Sequence, residues 1–259
     1  VQFMCSSPPA PTTRRRLLLI LTLSLPVGSV LGESTAATQP SDLATLMQGM
    51  AGMRRLPVSG VQMVQSGEQV FFVSANGRYA FLGPGFDLWH GTRLTSLAEA
   101  ERLLSRIDRT RLKLAPEDLG ALDLGTGEAE VLVFIDPRCP SCAALLDHLQ
   151  TLLETEAQAY RFRLIPLPVL GQGSQQEALA LNCLAETDRV QALAALLGHR
   201  TASLPPATGR CGQESIQRVL VTAHLLGIER VPFLIAPDGR LHAGAPPDLR
   251  AWLAGEEGA

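Results

Sequence analysis

Short runs of alternating apolar and polar residues follow one another between positions 60 and 82 of this 259-residue chain. Such alternation is typical of half-buried strands, and the pair Asn76-Gly77 between two runs is a signal for a tight hairpin. The pattern predicts a small antiparallel sheet with a short helix before it. The predicted helix spans 42–53, and the predicted strands span 61–65, 69–74 and 78–82.

This predicted sheet is expected to be marginal on its own, because three short strands bury little apolar surface and leave an exposed edge. An exposed edge presents unpaired N–H and C=O groups that can pair with a second chain. We therefore expect residues 42–90 to form a dimerisation domain and the protein to be a homodimer.

A charged segment follows the predicted sheet and has the pattern of a helix. Ser96 and Glu99 have the spacing of a capping box, and apolar residues recur from Leu97 to Ile107 at the helical period. Most of the other positions are charged, which favours a solvated linker helix within residues 91–115. The same pattern is compatible with a helix that packs on the small sheet.

Residues 116–259 contain predicted strands that alternate with predicted helices, which is typical of an α/β layered domain. A hairpin and a closing helix end this region. In chain order, the predicted elements are strand 131–135, helix 140–157, strand 160–165, helical region 174–198, helix 214–226, hairpin strands 233–235 and 240–243, and helix 248–254.

The sequence Cys-Pro-Ser-Cys at positions 139–142 lies between a buried apolar run and a segment of helical period. Cys139 is therefore expected at a helix N-terminus, where unpaired backbone N–H groups and the helix dipole stabilise an anion. The thiolate is the reactive form of cysteine, and such motifs lower a thiol pKa from ~8.5 to about 3.5–7.5. We predict a redox-active dithiol in which Cys139 attacks and Cys142 resolves.

Two other interpretations of this motif stay open, namely half of a zinc site and an inert structural disulfide. Zinc usually takes four ligands, whereas Cys183 and Cys211 lie far apart in the sequence and His148 would be a solitary third candidate. We therefore expect no metal, and the sequence suggests no other cofactor.

Arg138 and Asp136 precede the motif and are candidates for tuning the pKa of its thiols. The positive charge of Arg138 is expected to favour the thiolate of Cys139. Asp136 has two interpretations: it transfers a proton to and from Cys142, or its carboxylate organises the turn between the strand and the motif.

The N-terminus has the pattern of a secretory signal peptide. Three arginines at 14–16 precede an apolar core at 17–25, and small residues follow up to Gly32. The core is shorter than the ~20 residues of a spanning helix, so we predict cleavage of residues 1–32 and export rather than a membrane anchor, with cleavage after Ala36 or Ala37 as the alternative. Cleavage removes Cys5 and leaves four cysteines, an even number in a compartment where disulfides persist.

The charge of the chain limits its partners. The formal net charge is −3, and loss of the three arginines with the signal peptide would lower it to −6. An acidic chain is poorly suited to anionic partners, and the sequence has no basic patch with interleaved aromatic residues. We expect no nucleic acid partner.

The order of strand, Cys-Pro-Ser-Cys, helix and final hairpin resembles thioredoxin. Residues 227–233 are similar to the segment that carries the cis-proline loop of that fold, which lies beside the active disulfide. The resemblance implies a thioredoxin-like catalytic domain over 116–259. It also implies that Val231 and Pro232 hold the substrate chain.

Beyond the motif, residues 42–254 resemble the periplasmic disulfide isomerases DsbC and DsbG. Residues 60–88, which contain Phe-Phe-Val-Ser and Asn-Gly-Arg-Tyr, are similar to the N-terminal dimerisation domain of that family. Residues 134–142 are similar to the active-site segment of DsbG. The resemblance implies an α+β domain with a small, cystatin-like antiparallel sheet, joined by a helix to an α/β thioredoxin-like domain, and a structural disulfide between Cys183 and Cys211.

The activity that the resemblance implies is thiol–disulfide exchange, and disulfide isomerisation is the main expectation. The expected partners are misoxidised or unfolded exported proteins and a membrane thiol reductase that keeps the dithiol reduced. Ser141 replaces an aromatic residue of the isomerases, and Val231 replaces their usual Thr with the residue of the oxidase DsbA. The resemblance implies that both positions touch the active sulfurs and affect the redox potential. A dimeric periplasmic chaperone with secondary redox activity, or a dedicated reductase or oxidase of one assembly pathway, is the alternative.

Overall fold

The computed structural model describes residues 49–56, 60–88, 90–109 and 115–256. The predicted signal peptide and the first part of the predicted helix 42–53 lie outside these residues. Within the described part of the chain, no helix is long and apolar enough to cross a membrane.

The described part of the N-terminal domain is a small antiparallel sheet with a helix packed on it. Its elements are β1 Met50–Arg55, β2 Gln62–Ser66, β3 Gln69–Val73, β4 Ala80–Leu82, β5 Gly85–Asp87, β6 Thr92–Leu94 and α1 Leu97–Leu104. Strands β1 to β4 form one sheet in that order, and β5 pairs separately with β6. Met63, Val70, Leu94 and Ala100 are buried together and form the core of this domain.

The predicted helix 42–53 is wrong where the structure describes it. Residues Met50–Arg55 form β1, which pairs antiparallel with β2 and places Met53 opposite Val64. A segment this short has too few apolar positions to distinguish the helical period from the strand period. Pairing with β2 satisfies the backbone N–H and C=O groups of this segment, so the sheet gains a strand that the sequence did not predict.

Helix α1 is shorter than the predicted linker helix and packs on the small sheet. The Ser96 side chain accepts a hydrogen bond from the Glu99 N–H at 3.2 Å, as the capping-box spacing predicts. Ala100 is fully buried on the face toward the sheet. Of the two interpretations of the charged segment, the structure therefore shows the packed helix.

After α1 the chain pairs with the closing hairpin of the C-terminal domain. The Leu241 N–H donates to the Ser105 carbonyl at 2.9 Å, and the Ile107 N–H donates to the Gly239 carbonyl at 2.9 Å. These bonds replace the helical hydrogen bonds that the sequence predicted for this stretch. A side chain at Gly239 would collide with the Ile107 carbonyl, so the close approach requires glycine.

The C-terminal domain is thioredoxin-like, with a five-stranded sheet between helices. Its elements are β7 Leu122–Leu124, β8 Ala129–Ile135, α2 Pro140–Glu156, β9 Tyr160–Pro166, α3 Gln172–Thr187, α4 Arg189–Leu197, α5 Gln213–Leu226, β10 Phe233–Ile235, β11 Leu241–Ala243 and α6 Leu249–Ala254. The strand order is β11-β10-β8-β9-β7. Strands β8 and β9 are parallel, and the other neighbouring pairs are antiparallel. This architecture confirms the predicted fold class.

Strand β8 lies at the centre of this sheet and is buried on both faces. Val131 and Val133 belong to the cluster that contains the buried face of α2, whereas Leu132 and Phe134 belong to the cluster that contains the buried face of α5. Successive side chains of a strand point to opposite faces, which is why a continuous apolar run marks a central strand. The end of β8 therefore packs against buried residues on both faces of the sheet.

Two features of this domain differ from the predicted elements. The helical region 174–198 is two helices, because the Asp188 side chain accepts a hydrogen bond from the Gln191 N–H at 2.8 Å and caps α4. Strand β7 lies in a stretch for which the sequence predicted no element. Its three residues are too few for a period, and it forms because Leu122 pairs opposite Leu164 of β9.

Candidate active site

Cys139 lies between the end of β8 and the start of α2. It is the N-cap residue of this 17-residue helix, and its Sγ accepts a hydrogen bond from the Cys142 N–H at 3.3 Å. The residue is only 6% exposed. An anion at this sulfur would be stabilised by the backbone donor and by the positive end of the helix dipole.

Cys142 is fully buried in the first turn of α2. Burial raises the pKa of its thiol far above the ordinary value of 9.0, and the hydrogen bond with Cys139 acts in the same direction. The negative charges of Cys139 and Asp136 add smaller contributions of the same sign, while a hydrogen bond from the Asp136 backbone opposes them. The two free thiols of the motif are therefore chemically different.

Ser141 lies against the attacking thiol, at a position that the resemblance to the isomerases implies is in contact with the active sulfurs. Its hydroxyl oxygen lies 3.1 Å from the Sγ of Cys139, within hydrogen-bond distance. The sequence identified this position by its departure from the aromatic residue of the isomerases, without naming the hydroxyl as the contacting group. A hydroxyl two residues after a helix-capping thiol is the signal that would have indicated the contact.

Val231 and Pro232 lie beside the motif in space. The peptide bond between them is cis, and the carbonyl oxygen of Val231 is 3.7 Å from the Sγ of Cys139. The two residues stand directly before β10, whose Phe233 pairs opposite Phe134 of β8. The antiparallel pairing of β10 with β8 thus brings this loop to the same end of the sheet as Cys139.

Asp136 is buried and its carboxylate accepts four hydrogen bonds. The backbone N–H groups of Arg138, Val169 and Leu170 donate at 2.8, 2.8 and 3.0 Å, and the Ser174 hydroxyl is the fourth donor. This carboxylate therefore connects the motif to the loop between β9 and α3. The geometry favours the turn-organising interpretation of Asp136, and the sequence did not identify Ser174 as its partner.

Arg138 is half-exposed and directs its guanidinium toward α3. Its Nε lies 3.5 Å from the Oε1 of Glu177, a residue that the sequence did not single out. Glu177 also accepts a hydrogen bond from the Thr201 hydroxyl at 2.8 Å. Because Glu177 offsets the charge of Arg138, the effect of this arginine on Cys139 is weaker than the sequence alone suggests.

Cys183 and Cys211 form a disulfide in the structure, with a Cα–Cα distance of 4.9 Å and a sequence separation of 28. The bond joins α3 to the segment before α5, away from the Cys139 motif in the sequence.

Among the described residues, no three His, Cys, Asp or Glu side chains converge on a position for a metal ion.

The N-terminal domain exposes large apolar side chains along its edge strand β4 and the residues around it. Phe81 is 61% exposed and Leu88 is 85% exposed. The exposed set in this stretch is Tyr79, Phe81, Leu82, Phe86 and Leu88. Exposed large apolar side chains on and near an edge strand make this region a candidate interaction site.

Residues 35–96 match the family model described as the disulfide bond isomerase protein N-terminal domain. This match confirms the resemblance that the sequence suggested for the N-terminal region. This part of the chain is therefore similar to that domain, and a domain with the thioredoxin-like fold follows it. The comparison with curated protein sequences gives no match.

Solved structures of thioredoxin-like proteins are similar to this chain. ScsC of Proteus mirabilis in a compact conformation has 18% identity and a TM-score of 0.50, and the match covers 60% of this chain and 80% of that one. A periplasmic thioredoxin-like protein from Salmonella enterica serovar Typhimurium has 23% identity, a TM-score of 0.46, and coverage of 53% and 88%. The thiol-disulfide exchange protein alpha-DsbA2 from Wolbachia pipientis has 17% identity, a TM-score of 0.46, and coverage of 62% and 97%. All three identities are below 25%, and only the ScsC structure has a TM-score of 0.50. The ScsC similarity therefore supports the fold and nothing more.

Proposed function

We propose that this chain is a thiol–disulfide exchange enzyme that isomerises disulfides in exported proteins. The observation that carries the proposal is the position of Cys139 at the N-terminus of α2, with the Cys142 N–H 3.3 Å from its sulfur and the Val231 carbonyl 3.7 Å away. This geometry supplies a stabilised nucleophile beside a backbone segment that can hold a client. The isomerase-type N-terminal domain over 35–96 supports the finer assignment.

The first step is attack by the Cys139 thiolate on one sulfur of a client disulfide. A new S–S bond forms between Cys139 and the client while the S–S bond of the client breaks. The other client sulfur leaves as a thiolate. The Cys139 sulfur is oxidised and the leaving sulfur is reduced, so no external oxidant or reductant takes part.

Two nucleophiles can end the mixed disulfide. If a second client thiolate attacks the client sulfur, the client regains a disulfide at a new position and Cys139 leaves as a thiolate. If Cys142 attacks the sulfur of Cys139 instead, it loses its proton, the Cys139–Cys142 disulfide closes and the client leaves reduced. Burial raises the pKa of the Cys142 thiol in the reduced enzyme, so the second route needs a base for its proton, and the departing client thiolate can take it.

The second route leaves the enzyme oxidised. Two electrons from a partner thiol reductase are then needed to return the Cys139–Cys142 pair to the dithiol form. We propose such a partner at the membrane, and we propose the periplasm as the compartment. The support is the signal-peptide pattern before Gly32 and the disulfide between Cys183 and Cys211, a bond that persists in oxidising compartments.

Clients are proposed to pair with the loop that contains Val231 and Pro232. Pro232 has no backbone N–H, so pairing uses the carbonyl and N–H groups of Val231 as an added strand would. Backbone pairing places no demand on client side chains. An isomerase that acts on many exported proteins benefits from that tolerance.

The enzyme is proposed to work as a homodimer through its N-terminal domain. Strand β4 ends the sheet, and Phe81 and Leu82 on it are exposed. Pairing of two such edges in a two-fold dimer would satisfy backbone groups and cover the apolar side chains. Two copies of Cys139 would then be available to one client.

The test is recovery of activity by a client enzyme with scrambled disulfides. Catalytic amounts of the reduced protein should accelerate recovery in a buffer without small-molecule thiols, and the Cys139→Ser protein should not. Ser215→Ala, a substitution in the first turn of α5, is the control and should retain full activity. Recovery no faster than in the absence of protein would overturn the proposal.

An oxidase role is the second candidate, and the residues Ser141 and Val231 favour it because they differ from the isomerase pattern. The reduction potential of the Cys139–Cys142 pair separates the roles: about −120 mV indicates an oxidant and about −270 mV a reductant. A chaperone role is distinguished from the exchange activities by an assay that follows the refolding of a client without cysteines. Suppressed aggregation that persists in the Cys139→Ser protein would indicate binding that is independent of exchange.

A further inference from the structure

We propose that Arg138 binds a carboxylate of the client, so that exchange is faster with clients that carry an acidic residue beside the reacting cysteine. The site is a cavity that begins at Arg138, the residue directly before Cys139. This role rests on the proposed exchange activity, and it names a class of client for that activity.

The cavity lies between α3 and the segment 201–207 and has a volume of about 510 Å³. Arg138 lines it together with residues of both elements. Its apolar lining residues are Leu179, Ala180, Leu204, Pro206 and Ala207. Spaces of this size with a few polar groups on an apolar wall are typical of binding sites, and this one can take a short piece of an extended chain.

The acidic residue of the cavity, Glu177, is engaged inside the protein. Its Oε1 lies 3.5 Å from the Nε of Arg138, and its Oε2 accepts a hydrogen bond from the Thr201 hydroxyl at 2.8 Å. Thr201 is buried, and only 16% of the Glu177 side chain is exposed. A client cation at Glu177 would have to replace one of these contacts, so the cavity is poorly suited to a basic side chain.

Arg138, in contrast, keeps hydrogen-bond donors for a further partner. A guanidinium has five N–H donors and no acceptor, and its closest contact with Glu177 uses Nε. Among the described residues, no oxygen accepts a hydrogen bond from Nη1 or Nη2 of Arg138, and 55% of its side chain is exposed. A side chain at Gly173 would collide with Nη1, so this glycine leaves the space that the guanidinium occupies. The planar fork of a guanidinium matches a carboxylate best.

The place of Arg138 in the chain determines which part of a client it meets. Consecutive Cα atoms are about 3.8 Å apart, so Arg138 is next to the residue that forms the mixed disulfide. The client residues on either side of the reacting cysteine are therefore the ones closest to the guanidinium. The client backbone is proposed to pair with Val231, and that pairing does not depend on client side chains. The contact with Arg138 adds a preference for acidic residues around the client cysteine.

The experiment compares peptides that differ in one side chain. Each peptide carries a cysteine activated as its 2-pyridyl disulfide, with either Asp or Asn beside it, and the protein is the full chain with Cys142→Ala. The Cys139 sulfur bonds to the peptide sulfur, the peptide–pyridyl S–S bond breaks, and the released 2-thiopyridone is followed by absorbance. The rate of the Cys139→Ser, Cys142→Ala protein is subtracted as background.

The Asp peptide should react about threefold to fivefold faster than the Asn peptide at low ionic strength, the range of an exposed ion pair. Glu177 offsets part of the positive charge, so a larger factor is not expected. At about 1 M salt the Debye length is about 3 Å, and the ratio of the two rates should fall toward one. Because both peptides react with the same thiol, any change in the reactivity of Cys139 cancels in this ratio.

Four variants in the same background locate the preference. Arg138→Gln should bring the ratio to about one, and Arg138→Lys should keep part of it, because the charge stays and the planar fork is lost. Ala207→Phe fills the cavity and should lower the ratio as well. The matched control is Arg250→Gln, because Arg250 is also an exposed arginine paired with one carboxylate, that of Glu156 at 3.3 Å. The control should keep the parent ratio.

Equal rates for the two peptides with the parent protein would overturn the role of Arg138, and so would a preference that survives in Arg138→Gln or in Ala207→Phe. Activated disulfides react with a thiol without any isomerisation. A charge preference in a protein that fails to reactivate a scrambled client would therefore contradict the proposed function and leave the role of Arg138 intact. Reactivation of the client without any charge preference would do the reverse, and no reaction with either peptide would contradict both.

Discussion

The carbonyl oxygen of Val231 lies 3.7 Å from the Sγ of Cys139, although the two residues are 92 positions apart in the sequence. They meet because β10, which follows Val231, pairs antiparallel with β8, which precedes Cys139. The nucleophile and the proposed client-binding backbone are thus attached to two neighbouring strands of one sheet.

The two cysteines of the motif should behave differently when each is replaced. Cys139→Ser should abolish exchange, because it removes the thiolate at the N-terminus of α2. Cys142→Ser should accumulate mixed disulfides with clients, because the buried resolving thiol is gone. Non-reducing electrophoresis of both variants after incubation with a scrambled client would show the adducts. Equal trapping by both variants would contradict the assignment of roles.

The raised pKa of Cys142 should make the stability of the reduced protein fall at alkaline pH. Below the ordinary value of 9.0, Cys142 is protonated in both the folded and the unfolded chain. Above that pH the unfolded chain loses the proton while the folded chain keeps it. The free energy of unfolding should then fall by up to about 1.4 kcal/mol per pH unit.

Urea unfolding at about pH 8 and about pH 10 measures this effect. The matched control is Cys142→Ala, which lacks the buried thiol and should show a smaller loss of stability between the two pH values. The same slope in both reduced proteins would show that other groups cause the pH dependence.

Removal of the charge of Asp136 should destabilise the protein more than a surface substitution does. Asp136→Asn keeps the size of the side chain but turns one acceptor into a donor that faces backbone N–H groups. The expected loss is about 2–4 kcal/mol, because hydrogen bonds to a buried charged group are broken. Chemical unfolding should be compared with that of Asp147→Asn, an exposed aspartate on α2 that pairs with His199. If Asp136→Asn lowers the free energy of unfolding by less than Asp147→Asn does, the Asp136 carboxylate does not connect the motif to the loop before α3.

The disulfide between Cys183 and Cys211 should stabilise the fold without taking part in exchange. In the chain-entropy model, closing a loop of 28 positions contributes about 3–4 kcal/mol. The Cys183→Ala, Cys211→Ala double variant should lose that amount in chemical unfolding and keep its exchange activity at low temperature. Peptide mapping of the non-reduced parent protein should find the two cysteines joined. Free thiols at both positions, or lost activity in the folded double variant, would refute the structural role.

The homodimer should depend on the exposed edge of the N-terminal sheet. Phe81→Lys places a charge on β4, and charged side chains on edge strands oppose pairing. Val221→Lys is a matched control, because Val221 on α5 is 60% exposed and Phe81 is 61% exposed. Light scattering at micromolar concentration should find a dimer for the parent and the control and a monomer for Phe81→Lys. A monomeric parent protein would contradict the dimer and weaken the isomerase proposal.

Local patterns were sufficient for the elements that are long or that carry specific local signals. The continuous apolar run of β8, the helical period of α2 and the Asn76-Gly77 hairpin signal each correspond to the structure. The motif at 139–142 placed Cys139 at a helix N-terminus from its flanking pattern alone. In each case the interactions that determine the element join residues only a few positions apart, so the local sequence is enough to predict it.

Only the tertiary structure decided the features that depend on distant partners. Strand β1 and strand β7 exist because they pair with β2 and β9, and neither segment is long enough to show a period of its own. The donors to Asp136 come from residue 138 and from residues 169–174, and the Ser141 hydroxyl acquires its contact only once α2 forms. Burial of Cys142 between β8 and the helices determines its high pKa. The chemistry of the motif is thus set by desolvation and by contacts that the order of residues along the chain does not display.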